Sequence, residues 1–215
     1  MSGPVKLKTK QIMAFSSPIL LMHAPNPEPL NEQIIQDAQV LREQSPGMTR
    51  SNRQGWHSET DLFRRKEPGL SKLSQFIQHA IYSGTKTIAP DFDFLKYRLV
   101  VNGWININPT HGYNVPHRHT GFMWSGCYYV NVPEVKEGQT RNSGGIEFLS
   151  PVTLPMEYTT FDAMCYKEKI TMLPKAGDIL LFPSYLTHWV FPNESDEERM
   201  TIAFNASYVE KKKPD

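Results

Sequence analysis

The chain has 215 residues, of which 39% are hydrophobic and 21% are charged, and its formal net charge at pH 7 is +1. This composition supports a hydrophobic core and argues against global disorder. Both signs of charge are mixed along the chain, so there is no clear signal for nucleic-acid binding, and no segment is long and apolar enough to span a membrane. Nothing resembles an interdomain linker. We therefore expect one domain over residues 1–215, with an N-terminal strand and helices over 1–90, a β-rich core over 91–210 and a solvated tail over 211–215.

The N-terminus imitates a secretion signal, because Lys6, Lys8 and Lys10 precede an apolar run from Ile12 to Met22. The segment 16–18 interrupts that run with Ser, Ser and Pro, and no small-residue cleavage site follows it. We therefore expect an early strand that packs on the main sheet.

The two cysteines, Cys127 and Cys165, are too few for a disulfide framework and do not match the spacing of a zinc ribbon. We interpret both as reduced thiols of a cytoplasmic protein.

Two amphipathic helices are predicted before residue 90. Apolar residues recur at three- or four-residue intervals over Leu30–Glu43, where Asn31 is a candidate N-cap, and again over Leu70–Ser83. The intervening segment Arg50–Asp61 lacks periodicity and is rich in turn-forming side chains, so we predict a long ordered loop there.

After Pro90, β-branched and aromatic residues alternate with polar ones almost to the end of the chain. The predicted strands are Tyr97–Asn108, His117–His119, Ser125–Val132, Gly145–Leu149, Lys169–Leu173, Asp178–Phe182, His188–Phe191 and Arg199–Val209. Eight short strands separated by Pro and Gly turns indicate a sandwich or jelly roll. The fold class is therefore α+β and mainly β, with the helices packed on one face of a sheet.

Three histidines are candidate ligands of one metal ion. Residues two apart on a strand share a face, so His117 and His119 could both reach an ion, and His188 could supply a third ligand from another strand. Such a facial triad leaves about three coordination positions open. Imidazole suits zinc, copper, iron and nickel, so the ligands alone do not identify the metal.

A second constellation follows the third histidine. Arg199, Thr201, Ala203 and Asn205 share one face of the last strand. A guanidinium and a hydroxyl two residues apart can clamp a carboxylate, because the guanidinium offers paired donors and Thr201 adds one more.

These motifs resemble those of the iron(II)- and 2-oxoglutarate-dependent oxygenases. The matching elements are His-x-His at 117–119, Gly-Asp-x-Leu-x-Phe at 177–182 with a His six residues later, and Arg-x-Thr at 199–201. The resemblance implies a double-stranded β-helix (a jelly-roll or cupin-like fold) in which His117, His119 and His188 hold iron(II). It also implies that Arg199 and Thr201 bind the far carboxylate of 2-oxoglutarate, the cosubstrate.

Further matches extend the resemblance. The strand at 125–131 is similar to a Tyr-containing strand of the prolyl-hydroxylase branch, which implies that Tyr129 contacts the cosubstrate, and the Gly-Gly-Ile-Glu-Phe at 144–148 is similar to another motif of that branch. Asn106 resembles an Asn that helps to seat 2-oxoglutarate in alkylation-repair dioxygenases. Over Ser51–Asn205 the chain resembles a family of 2-oxoglutarate-iron oxygenases from bacteria and phages.

One departure affects the expected chemistry. The usual second ligand is Asp or Glu, and here it is His119, which leaves the bound iron with one more unit of positive charge. Glu147 is an alternative carboxylate ligand, but we expect it to face solvent or to form hydrogen bonds. His111 is expected to be a turn residue or a substrate contact. Trp124 and Trp189 are expected either to wall the pocket or to belong to the core.

The expected function is therefore a hydroxylase whose substrate is a small molecule or a protein side chain, with a homodimer as an open possibility. Two alternatives are a cupin-like dioxygenase or isomerase that needs no keto acid, and a non-catalytic metal- or ligand-binding module. Arg199 and Thr201 favour the first hypothesis, because a module without a keto acid has no evident need for this pair.

Overall fold

The computed structural model describes residues 10, 14–152 and 163–211. The described residues form two α-helices and eleven β-strands. The helices are α1 (Glu28–Gln44) and α2 (Pro68–Ile88). The strands are β1 (Leu20–His23), β2 (Asn52–Arg53), β3 (Trp56–His57), β4 (Tyr97–Asn108), β5 (Tyr113–His117), β6 (Trp124–Asn131), β7 (Ile146–Leu149), β8 (Lys169–Met172), β9 (Asp178–Pro183), β10 (His188–Val190) and β11 (Arg199–Glu210).

Both predicted helices are confirmed, and both extend beyond their predicted ends. Each has a proline in its first turn, where the missing N–H of proline costs no hydrogen bond. Gly84 allows α2 to pack close to β9, because a Cβ atom at this position would clash with the side chain of Leu181. The interpretation of Asn31 as a cap is wrong: its Oδ1 accepts a 2.6 Å hydrogen bond from the Tyr128 hydroxyl, which ties α1 to β6.

The strands form two antiparallel sheets. The major sheet has the order β1-β9-β6-β11-β4-β3, and the minor sheet has the order β2-β5-β10-β7-β8. The predicted arrangement of a mainly β fold with two sheets and N-terminal helices is therefore confirmed. The predicted early strand corresponds to β1 at the edge of the major sheet, where it pairs with β9. Residues 212–215 of the predicted tail lie outside the described residues.

The hydrophobic residues divide according to the face of the major sheet from which they project. One face packs against α1 and α2, where alternate residues such as Ile105, Ile107 and Ile202 join the main core. The opposite face looks towards the minor sheet, and a smaller core there includes Phe148 and Phe182. The space between the two sheets is therefore only partly filled by apolar side chains.

Two predictions about where strands lie are wrong. The predicted loop at 50–61 contains β2 and β3, which pair with β5 and β4. Two-residue strands are too short to show an alternating pattern, so the sequence signal there was that of a loop. The predicted strand His117–His119 is also misplaced, because β5 runs from Tyr113 to His117 and His119 lies beyond its end.

No helix among the described residues is both long enough and apolar enough to cross a membrane.

Candidate active site

The three predicted metal ligands converge between the two sheets. His117 on β5 lies directly opposite His188 on β10, and their ring centroids are 4.4 Å apart. The ring of His119 lies 5.0 Å from that of His117 and 5.3 Å from that of His188. The ligand atoms of all three lie within 4.8 Å of one another, so the group could hold a metal ion.

Backbone contacts fix the orientation of the imidazole rings. Nδ1 of His117 lies 2.7 Å from the carbonyl oxygen of Val115, and Nδ1 of His188 lies 2.9 Å from that of Leu186. Because a carbonyl can only accept, each Nδ1 carries the proton and each Nε2 keeps a lone pair for a metal. The backbone N–H of His119 donates to the carbonyl of Ser184 at 3.0 Å, which anchors this ligand although it lies outside the strand.

The surroundings keep the three imidazoles neutral at pH 7. Burial and then the neighbouring His117 lower the pKa of His119 to about 4. Burial and then His117 also lower the pKa of His188, to about 3, and burial lowers the pKa of His117 itself. Neutral imidazoles are the form that binds metal, so all three nitrogen donors are available at physiological pH.

A cavity of about 490 Å³, part of it open to solvent, extends from the three histidines along the inner face of the major sheet. Strand register places three predicted cosubstrate residues in one row across its floor. Thr201 on β11 lies opposite Asn106 on β4 and opposite Tyr129 on β6. Arg199 projects from the same face two residues before Thr201, and all four of these residues line the cavity.

Arg199 is a buried cation for which the described residues provide no anionic partner. Its residue is 2% exposed, and no ion pair links it to a carboxylate of the described residues. Its Nη1 donates to Thr201 Oγ1 at 3.4 Å, its guanidinium carbon lies 5.3 Å from the centroid of the Tyr129 ring, and its Nε has no hydrogen-bond partner. A buried cation normally has an anion beside it. The end of the cavity that holds Arg199 would therefore suit an anion.

The absence of a side chain at Gly144 leaves room for this arginine. The φ of Gly144 is +65°, and a Cβ atom there would lie 3.1 Å from Cδ of Arg199. Glycine is therefore favoured at this position both by its backbone conformation and by the close approach of Arg199.

Residues 102–205, which span the three histidines and Arg199, match the family model described as "Putative 2OG-Fe(II) oxygenase". This part of the chain is similar to the 2-oxoglutarate/iron(II) oxygenases. A search of curated protein sequences found no match.

Solved structures of such oxygenases share the fold. A prolyl-4-hydroxylase from Pseudomonas putida is similar with a TM-score of 0.60 and 12% sequence identity, and the alignment covers 88% of this chain and 91% of the hydroxylase. A Trichoplax adhaerens prolyl hydroxylase, solved with a peptide fragment of the hypoxia inducible factor oxygen degradation domain, gives a TM-score of 0.58 and 12% identity, with 88% and 83% covered. HygX from Streptomyces hygroscopicus, solved with nickel and 2-oxoglutarate, gives 0.57 and 12%, with 89% and 83% covered. The predicted double-stranded β-helix is thereby confirmed.

The cofactors of this oxygenase family, iron(II) and 2-oxoglutarate, fit the residues present. Three neutral imidazoles form a suitable donor set for iron(II). The guanidinium of Arg199, which has no carboxylate partner among the described residues, suits the far carboxylate of a keto acid. Among the described residues no Asp or Glu joins the three histidines, so Glu147 is not part of this group.

The structure decides between alternatives that the sequence left open for several residues outside the triad. Trp124 belongs to the core on the helix side, where its Nε1 donates to Thr85 Oγ1 at 3.0 Å, and it does not wall the cavity. Trp189 faces away from the cavity and donates to Glu147 Oε1 at 3.0 Å. The expected hydrogen-bonding role of Glu147 is confirmed, but Glu147 is buried and does not face solvent. His111 has a φ of +64° between β4 and β5, which is consistent with a turn residue.

Other cavity residues were missed by sequence reasoning. Trp104, Ser51, Asn114 and Cys127 also line the cavity, and the Trp104 ring lies 5.7 Å from that of His119. The two-residue period contained a signal for two of them, because Trp104 precedes Asn106 by two residues and Cys127 precedes Tyr129 by two. Ser51 and Asn114 had no such signal, since Ser51 precedes the two-residue strand β2 and the pairing of β5 with β10 is irregular at Asn114.

Proposed function

We propose that the protein is a hydroxylase in which His117, His119 and His188 ligate iron(II), and Arg199 and Thr201 bind the far carboxylate of 2-oxoglutarate. The observation that carries this proposal is the shared cavity: three neutral histidines lie towards one end, and an unpaired, buried arginine lies towards the other. A keto acid with carboxylates at both ends would link these two features.

Two further side chains support the cosubstrate. The hydroxyl of Tyr129 is buried without a partner, and burial raises the pKa of Tyr129 well above its usual value, so the hydroxyl stays protonated and can donate to a carboxylate. Asn106 also lines the cavity, where its side-chain amide nitrogen can donate to an oxygen of the cosubstrate. A bound keto acid offers only hydrogen-bond acceptors, so it would satisfy the Tyr129 hydroxyl and Nε of Arg199, two donors that the described residues leave without a partner.

The protein would supply orientation and partial exclusion of water, while bound iron(II) and 2-oxoglutarate would supply the activation of dioxygen needed to hydroxylate a C–H bond. Ile146, Phe182 and Val190 line the cavity and limit its water content. Electrostatic attraction between Arg199 and the cosubstrate is strengthened by this exclusion of water.

The third histidine affects the charge of the centre. With His119 in place of a carboxylate, the three ligands contribute no negative charge, so the metal retains its full charge of two. We expect this centre to hold an anionic cosubstrate more firmly than a centre with a carboxylate ligand.

Anaerobic titration of the iron(II)-loaded protein with 2-oxoglutarate tests the proposal. Bidentate chelation of the iron should produce a saturable charge-transfer band in the visible spectrum, and a His188→Ala variant should lack it. Tight iron binding without this band would refute the keto-acid assignment and favour a cupin-like enzyme in which Arg199 binds the carboxylate of the substrate itself.

A further inference from the structure

A second groove opens beside the three histidines. It contains about 930 Å³ of unoccupied space, part of it open solvent, and shares Ser51, Trp104, His117 and His119 with the cosubstrate cavity. The other lining residues are Arg50, His57, Thr60, Asn102, Val115 and Asn205. The proposed metal site therefore lies at the junction of a deep cavity and an open groove.

Strand geometry separates the two spaces. Arg199, Thr201, Ala203 and Asn205 follow one another along one face of β11, and six residues of strand correspond to about 20 Å. Arg199 lines only the deep cavity, whereas Asn205 lines only the groove. A molecule in the groove can therefore approach the three histidines without displacing a cosubstrate held at Arg199.

Among the described residues, the charge that lines the groove is positive only. Arg50 is exposed and lines the groove, and no ion pair or hydrogen bond links its guanidinium to another described residue. No Asp or Glu is among the described residues that line either the groove or the cavity. Burial, and to a smaller extent the charge of Arg50, lower the pKa of His57, so at pH 7 this side chain adds no positive charge to that of Arg50.

Neutral hydrogen-bonding groups lie further along the groove. Asn102 on β4 lies directly opposite Asn205 on β11. The buried Oδ1 of Asn102 has no partner, whereas Oδ1 of Asn205 accepts a 2.7 Å hydrogen bond from Ser125. This leaves the amide nitrogen of Asn205 as a donor and the amide oxygen of Asn102 as an acceptor for a ligand.

A row of rings connects the groove to the metal site. His57 stacks on Trp104 with centroids 5.3 Å apart and an interplanar angle of 12°, and the Trp104 ring lies 5.7 Å from that of His119. Nδ1 of His57 lies 2.6 Å from the carbonyl oxygen of Ser58, so the stack is held by the backbone. The row gives the body of a ligand a flat surface that leads towards the proposed iron.

From these observations we infer that the groove binds the substrate, and that this substrate is anionic. Its carboxylate or phosphate pairs with Arg50, its neutral polar groups bond to Asn102 and Asn205, and the carbon to be hydroxylated lies beside the three histidines. A cationic substrate would meet the charge of Arg50 and no carboxylate. The inference rests on the proposed function, because it uses the same metal site.

Inorganic phosphate is a suitable probe, used with the full chain loaded with manganese(II) and saturated with 2-oxoglutarate. The unpaired electrons of manganese broaden the ³¹P resonance of phosphate bound nearby, so the titration reports binding close to the metal. We compare the unmodified protein with Arg50→Gln, and with Arg64→Gln as a control. Arg64 is also exposed and lies outside the groove, so both variants lose the same charge.

We expect saturable broadening in the unmodified protein and in Arg64→Gln, with about fivefold weaker phosphate binding in Arg50→Gln, the effect of one exposed ion pair. Equal phosphate affinity in all three proteins, or no broadening in the unmodified protein, would overturn the inference. Manganese and 2-oxoglutarate binding are measured beforehand. If either fails, the proposed function fails, and this result is distinct from a failure of the phosphate titration.

Discussion

Replacing Arg199 by methionine should weaken the binding of 2-oxoglutarate without lowering the stability of the cosubstrate-free protein. Methionine is unbranched and apolar, so it can fill much of the space of a side chain that is 2% exposed. The variant removes a buried cation that has no carboxylate partner among the described residues. Because the desolvation cost of that charge disappears, we expect the free energy of unfolding to remain unchanged or to rise.

The loss of cosubstrate affinity follows from the contacts in the cavity. Removal of one partner of a buried charge pair costs about 2–5 kcal/mol. Thr201 and Tyr129 remain as neutral donors, and each contributes about 0.5–1.5 kcal/mol, so a loss near the middle of that range is expected. A loss of about 3 kcal/mol corresponds to about 150-fold weaker binding of 2-oxoglutarate.

Calorimetric titration of the nickel-loaded protein with 2-oxoglutarate measures this change, and thermal unfolding without cosubstrate measures stability. Metal affinity serves as the internal control, because Arg199 is not among the residues that form the metal group. Unchanged affinity for 2-oxoglutarate in a folded variant would refute the assignment of Arg199. Strong destabilisation without cosubstrate would refute the argument that its charge is uncompensated.

Two further substitutions test the metal site and the position of Arg199. His188→Ala should weaken iron(II) binding at least tenfold, since one of three nitrogen donors is lost. His111→Ala, at an exposed turn, is the control and should leave iron(II) affinity unchanged. Both affinities are measured by competition with a chelator, and equal values would exclude His188 as a ligand. Gly144→Ala should weaken 2-oxoglutarate binding through contact with Arg199 and leave metal affinity unchanged. Gly138→Ala is its matched control, because Gly138 also has a positive φ but a Cβ atom there would meet nothing within 4 Å; an equal effect in both variants would show that backbone strain alone is responsible.

The sequence was sufficient to predict the elements with a clear period. The three- and four-residue spacing in α1 and α2 reports which stripe of each helix is buried, and apolar residues alternate with polar ones along parts of β4 and β11, as over 105–108 and 205–208. The same two-residue period placed Arg199 and Thr201 on one face. The candidate ligands were also chosen from sequence; the structure brings His117, His119 and His188 together, and their role in metal binding stays a prediction.

Only the tertiary structure decided how these elements meet. Periodicity states which residues share a face, but it does not state which strands are neighbours or in what register, because register depends on contacts between residues far apart in the chain. The row formed by Asn106, Thr201 and Tyr129 exists because three strands align at that level. The two faces of the major sheet are both buried, one beneath the helices and one towards the minor sheet, so alternation grouped Trp104 with Asn106 but could not show which of the two faces borders the cavity.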